Sequence, residues 1–299
     1  MGKHPVYVLI TGDIDPTPEA TLEEKRKALV RTQTMLDDLG VPSTFFLVGN
    51  LSEDYAREAP TLIAAGHEIG CHGLTHAVDD EYGTLPEAEQ RERLTEAFRR
   101  IQAVSGEPVR SFRGPRVKTS AATQRVLMEL GAIADSSVCP QRLDFVSSNL
   151  INWRWLVAPR KAYRPHAKNA FKKGKLPLVV VPVSAMGLPF LSGLLYGFGL
   201  GLMKSFFRLL YAEARLTGKP IVYLYHPAEF ARQDIQVRHE TSLKAIKARG
   251  FYFRRHLKLR GDVDNRFRLM TELIRFMAGH HHVRFVTVSQ FAETVLHDR

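Results

Sequence analysis

Short apolar runs alternate with amphipathic stretches along most of the 299-residue chain. The runs "VYVLIT" (6–11), "STFFLVG" (43–49), "EIGC" (68–71), "PLVVVPV" (177–183), "PIVYLYH" (220–226) and "VRFVTVS" (283–289) are rich in β-branched and aromatic side chains and predict strands. Between the first two, "TLEEKRKALVRTQTMLDDLG" repeats its apolar positions near every 3.6 residues. It carries acids in its first turn and closes on Gly, the start and stop signals of a helix. "EDYAREAPTLIAAG", "EAEQRERLTEAFRRIQAVSG" and "SAATQRVLMELG" repeat the pattern. Strand–helix alternation of this kind predicts βα units around a parallel sheet or barrel. No fixed-period repeat is present.

Three segments break the rhythm. Residues 151–176 are basic and irregular and contain Trp153 and Trp155. Residues 186–203, "MGLPFLSGLLYGFGLGLM", form an uncharged run that just reaches the roughly 18–20 residues a membrane span needs. Its five glycines, its proline and its place between core strands argue instead for an apolar loop and helix lining a groove, with lipid a candidate contact. Residues 241–261 carry seven Lys/Arg and no acid.

Composition adds charge to this picture. With 44% hydrophobic and 24% charged residues, the chain has ample core for a globular protein. Two cysteines without a C-x-x-C exclude a disulfide framework and a zinc ribbon. The start, "MGKHPVYVLITGDID", runs directly into a strand and does not resemble a signal peptide, so a cytoplasmic protein is expected. Val6 stands where an N-myristoylation site needs Ser or Thr. Residues 1–144 hold 16 basic and 22 acidic side chains, whereas residues 145–299 hold 26 and 9. No acid lies between Asp144 and Glu213. An excess this one-sided predicts an anionic partner, whether phosphate, nucleic acid or a membrane surface, with a merely solvated basic face as the alternative.

The candidate chemistry begins at "GCHGLTH" (70–76). His72 and His76 are four apart, a spacing that converges two rings on one face of a helical turn and suits a metal. Two unrelated loop histidines fit the spacing as well. The first strand ends in "TGDIDP", where Asp13 and Asp15 alternate and therefore share a face. In a βα barrel that end is the mouth, where active sites sit. Adjacent carboxylates are costly without a cation nearby. One Asp with two His matches the three-ligand catalytic zinc pattern; a strand-end turn that uses Asp for local hydrogen bonds is the alternative.

"FRGPR" (112–116) and "VYLYHP" (222–227) complete an ordered set: T-x-D-x-D, H-x-x-x-H, R-x-P and L-x-H. Together these motifs resemble the NodB-homology polysaccharide deacetylase family, in its D-x-D branch. The resemblance runs to residue 230, and "RFVTVSQF" is similar to the family's last strand and helix. It implies an α/β fold, a distorted (β/α)7 barrel. The whole chain, 1–299, would be one deacetylase domain with basic or apolar insertions near 151–176, 186–211 and 232–282. It also implies hydrolysis of an N-acyl group on an amino sugar. Asp15, His72 and His76 would hold a divalent metal, zinc the expected one. Asp13 would be the general base, oriented by Arg113, and His226 the general acid. The backbone N–H at Arg116 would help hold the oxyanion. Asp135, in "ADSSVCP", is the candidate partner for His226 or Arg113. Two departures stand out: Pro16 follows the D-x-D, and Arg116 occupies the usual aromatic position. The D-x-D branch includes peptidoglycan deacetylases and allantoinase-like amidases, which leaves a small non-sugar amide open as substrate.

Neutral soluble glycans have no use for the basic half, but a lipid-phosphate-linked sugar does. Its phosphate would meet the basic segments and its chain the apolar run. Each Lys or Arg near an anionic bilayer contributes ~1 kcal/mol of attraction. The expected enzyme therefore works on an amino-sugar glycan or lipid-linked sugar, with an anionic inner-membrane face as a candidate surface. Deformylation of the lipid-linked sugar is the alternative reaction. Nucleic acid is not an expected partner, because a pure binding module has no need of all five acid, base and ligand positions.

Overall fold

The computed structural model describes residues 4–77, 79–141, 153–232 and 262–297. The strands are β1 (Val6–Ile14), β2 (Ser43–Leu47), β3 (Glu68–Cys71), β4 (Ser111–Phe112), β5 (Ala134–Asp135), β6 (Pro165–His166), β7 (Asn169–Lys173), β8 (Val179–Val180), β9 (Ala185–Met186), β10 (Leu188–Pro189), β11 (Ile221–Tyr225) and β12 (Val283–Phe285). The main sheet has the order β11-β1-β2-β3-β4-β5-β8, with β12 also paired to β1, and every pairing in it is parallel. Its two ends approach each other through irregular backbone. The Ser184 amide donates to the Val222 carbonyl at 3.2 Å, and Leu191 bridges in parallel to Leu224. The curled parallel sheet is the distorted barrel that the alternation and the resemblance imply.

Helices follow most strands: α1 (Leu22–Asp38), α2 (Glu58–Ala64), α3 (Glu87–Ser105), α4 (Ala121–Glu129), α5 (Trp153–Val157), α6 (Ser192–Thr217), α7 (Val263–Ala278) and α8 (Val288–His297). Local chemistry sets their ends. The Thr21 hydroxyl caps α1 by accepting from the Glu24 amide, and Ser120 and Thr123 form a reciprocal capping box on α4. The strand expected over 283–289 stops at Phe285, because Val288 already starts α8.

Alternation along the strands divides the core in two. Val8, Ile10, Phe45, Leu47, Ile69, Cys71, Phe112, Tyr223 and Tyr225 face the layer between sheet and helices. Leu9, Phe46, Ala134, Val179, Val222 and Leu224 face the interior, joined there by Phe291 and Ala292 of α8. The uncharged run 186–203 forms the β9–β10 hairpin and the first part of α6. The helix is broken at Gly199, where φ is +83°. No helix among the described residues is long and apolar enough to cross a membrane. The basic segment 241–261 lies outside the described residues.

Candidate active site

The interior parity explains which side chains reach the mouth. On β1 the inward positions are Leu9, Thr11 and Asp13, and Asp15 follows at the same two-residue step just past the strand. On β3 and the residue after it they are Gly70 and His72, on β4 and the residue after it Ser111 and Arg113, and on β11 and the residue after it Val222, Leu224 and His226. Because the strands are parallel, all these ends lie on one side of the sheet.

Asp15, His72 and His76 each offer one ligand atom, and these atoms lie within 4.8 Å of one another. His72 Nε2 is 3.1 Å from Asp15 Oδ1, and His76 Nε2 is 3.7 Å from Oδ2. The other ring nitrogen of His72 lies 2.6 Å from the Arg113 carbonyl. A carbonyl only accepts, so Nδ1 carries the hydrogen and a neutral His72 turns the Nε2 lone pair toward the carboxylate. Two acceptors then face each other across 3.1 Å, which is stable only with a cation or a proton between them. Asp15 Oδ1 is buried and accepts no well-aligned hydrogen bond, which also fits a metal ligand.

Titration follows the same geometry. Burial pushes the Asp15 carboxyl up, but His72, His76 and His226 outweigh it and hold it well below the usual carboxylate range. Burial opposes charge on His72, yet Asp13, Asp15 and the Arg113 carbonyl raise its pKa above the ordinary value. At His76 burial wins, aided by His72 and Arg116, and the pKa is lowered.

Asp13 is anchored deeper. Its Oδ1 accepts from Arg113 Nη1 at 2.8 Å, and the same nitrogen donates to Thr11 Oγ1 at 2.9 Å. The rest of the guanidinium donates to the Ser136 carbonyl and hydroxyl and lies 4.4 Å from the Phe46 ring centroid. His226 stands at the opening, with Nε2 3.5 Å from Asp15 Oδ2. Side-chain exposure is 2% for His72 and 4% for Asp13, but 18% for Asp15, 21% for His226 and 23% for His76. The site thus has a dry floor at Asp13 and an open rim at His226.

Several expectations need correction. His72 and His76 do not sit on a helical turn; residues 72–77 form a loop. Their ring centroids come to 5.3 Å through left-handed backbone at Gly73, φ +77°, and at His76 itself, φ +61°. The buried Asp80 carboxylate holds that loop by accepting from the Thr75 and His76 amides. Asp135 is not brought to His226 or Arg113. It has the outward parity on β5, and its carboxylate accepts from Thr119, Gln124 and the Ser137 amide, with burial raising its pKa. The Arg116 side chain, at the usual aromatic position, turns to the loop beside the site. It donates to the Ala77 and Asp80 carbonyls and so ties down the loop that follows His76. Arg116 and Val117 themselves hold φ of +56° and +58°, a strained turn of a kind that collects at functional sites. Trp155 is buried in the core.

The sequence reading missed one residue. Glu229, buried in the 3-10 turn Pro227–Phe230, brings Oε1 to 3.2 Å from His226 Nδ1, and the same oxygen accepts from the Ser192 hydroxyl at 2.8 Å. The signal was the H-P-A-E spacing, since a helical turn starting at a proline places residues i and i+3 side by side.

Residues 4–134 match the family model described as polysaccharide deacetylase. Among solved structures, the chain is similar to a Mycobacterium smegmatis protein assigned as a polysaccharide deacetylase. That match has TM-score 0.62 and 18% identity, and covers 99% of this chain and 94% of the other. A Pseudomonas aeruginosa PAO1 protein with the same kind of assignment matches with TM-score 0.63 and 15% identity, over 98% and 92% of the two chains. PuuE allantoinase matches with TM-score 0.59 and 16% identity, over 96% and 89%. At these identities the structural matches speak for the fold. The matched segment, under half of the chain, supplies Asp13, Asp15, His72, His76, Arg113 and Arg116, and through it the chain is similar to polysaccharide deacetylases.

Proposed function

We propose that the protein is a metal-dependent hydrolase that removes an acyl group from the nitrogen of an amino sugar carried on a glycan or lipid-phosphate carrier. One observation carries this reading. The Asp15–His72–His76 cluster is bordered by a carboxylate clamped to a buried guanidinium and by an imidazole clamped to a buried carboxylate. When bound, a divalent ion, zinc the best match to a one-Asp, two-His set, would polarise the acyl oxygen and make water acidic enough to attack near neutral pH.

The chain's own groups divide the remaining work. Asp13, held in place by the 2.8 Å contact to Arg113, takes the proton of the attacking water. Arg113 fixes the direction of that carboxylate, since its other nitrogens are committed to Ser136. His226 delivers a proton to the departing amine from Nε2, with Nδ1 held by Glu229. The left-handed turn at Arg116 is the candidate donor of a backbone N–H to the oxyanion. His226 and Asp13 thus perform acid and base work from different depths.

The basic half of the chain favours a phosphate-bearing lipid-linked sugar at the inner membrane face over a neutral oligomer. Either acetyl or formyl fits the chemistry. The test is carboxylate release, resolving acetate from formate, from N-acetylglucosamine oligomers and from a lipid-linked sugar extract, with metal and with chelator. Metal-dependent release from the lipid extract alone is the expected result. Release from oligomers alone would make the protein an ordinary glycan deacetylase. Silence on both with metal bound would shift the reading to a small-amide hydrolase, the chemistry of the similarly folded allantoinase.

A further inference from the structure

The outward side of α6 is apolar where a surface helix is ordinarily polar. Its inward stripe, Leu195, Tyr196, Met203, Phe207, Leu210 and Ala214, packs into the core. Its outward stripe carries Phe198 at 57% exposure, Leu202 at 47%, Leu209 at 58% and Leu216 at 72%. The exposed positions between them are Gly201, Ser205, Arg208 and Ala212, so the face contains no acid at all. The helix's one carboxylate, Glu213, is neutralised by Arg160 and Lys219 at 2.7 and 3.0 Å. Met186 and Leu188, on the hairpin leading into α6, are exposed as well. Six of the eight large exposed hydrophobics among the described residues therefore fall in this one stretch of chain, which marks it as an interaction surface rather than scattered solvent contact.

Charge selects the partner. Lys204 and Arg208 extend over the Phe276 ring at 5.2 and 5.0 Å, placing two cations beside the apolar stripe. A second copy of a chain with net charge +11 would bring like charge against like. An anionic bilayer receives both features: acyl chains take the leucines and headgroup phosphates take the cations.

We infer that the outward face of α6, with the β9–β10 hairpin, docks on an anionic lipid surface and holds the active-site mouth beside it. The mouth lies at the N-terminal end of this face, where the first residue of α6, Ser192, donates to Glu229, which holds His226. A sugar on a phosphate-linked lipid then reaches the site without leaving the membrane. The docking stands independently of the hydrolase reading; the identity of the substrate rests on it.

The test is flotation of the full chain with phosphatidylcholine vesicles, with and without phosphatidylglycerol, at low and at raised salt. The double variant L202E/L209E, altered only at exposed positions, serves as the comparison. The native chain is expected to float with anionic vesicles only, and the variant to partition roughly a hundredfold more weakly. Both should retain the same melting temperature and the same metal stoichiometry. Failure of the native chain to float at low salt would overturn the proposal. So would equal flotation of the variant, which would reduce binding to charge alone. A native dimer that the variant breaks, with no flotation of either, would reassign the face to self-association. Flotation without acyl release from any substrate would leave the docking intact and remove the hydrolase reading.

Discussion

Asp13 and His226 both end a strand of the same sheet, yet they are held by different physics. Asp13 is locked by full charge: a guanidinium with no exposed surface, itself fixed by Thr11, Ser136 and the Phe46 ring. His226 is held by a carboxylate three residues on, and that carboxylate by a hydroxyl from α6. The carboxylate proposed as base therefore belongs to the sheet and to the folding of the core. The imidazole proposed as acid belongs to a junction between β11, a 3-10 turn and α6 on the solvent side. A base must keep its charge in a dry place, which a buried arginine secures. An acid must exchange its proton in every turnover, which requires solvent access and a partner that steadies the ring in both states.

The largest effect should come from the cluster that the two groups flank. Asp15→Asn or His72→Ala is expected to abolish stoichiometric zinc uptake and lower kcat/KM by about a thousandfold or more, measured by metal analysis and acyl release. Tight zinc binding by the Asp15→Asn protein would remove Asp15 from the ligand set.

Next comes the floor. Arg113→Ala leaves Asp13 buried without its cation and should cost about 3–5 kcal/mol of unfolding free energy in a denaturant titration. Arg113→Lys keeps the charge but loses the fork to Ser136, and should fall in between. A change no larger than that of a surface substitution would show the pair is not what fixes the floor.

The rim should behave oppositely. Glu229→Gln is expected to reduce kcat by roughly 10–100-fold while KM, zinc stoichiometry and melting temperature stay near native. If stability falls as far as it does for Arg113→Ala, the contrast between floor and rim fails.

The smallest effect is a slope. Metal uptake must displace the proton that Asp13 and Asp15 favour on His72. Because that pKa is raised, zinc affinity should increase with pH by about tenfold per unit below it and level off above. Competition titrations with a chelator of known affinity across pH read this directly. A flat profile would mean that His72 binds no proton in the metal-free protein.

Much of the site was legible in the chain itself. The two-residue step that makes Leu9 an interior residue also carries Thr11, Asp13 and Asp15 inward, and the same rule applies to Leu224 and His226. That rule also rejects Asp135, which lies one step out of phase with Ala134 and so turns toward Thr119 and Gln124. The i,i+4 reading of His72 and His76 names two rings that do converge, but through a loop and not a helical turn, because spacing alone does not distinguish a helical turn from a loop bent at Gly73.

What the sequence determined by itself was local and periodic: the strands and capped helices, the parity of each strand, and hence which side chains face the interior. Tertiary structure alone decided the contacts between parts distant in the chain. It set the carbonyl of Arg113 against His72, Ser192 against Glu229, and the Arg116 guanidinium against the loop after His76. It also decided that one side of α6, apolar on both faces in sequence, would find no covering layer among the described residues. Alternation and capping act over a few residues and leave their period in the chain, whereas a hydrogen bond across tens of residues depends on how the barrel closes and leaves no period to read.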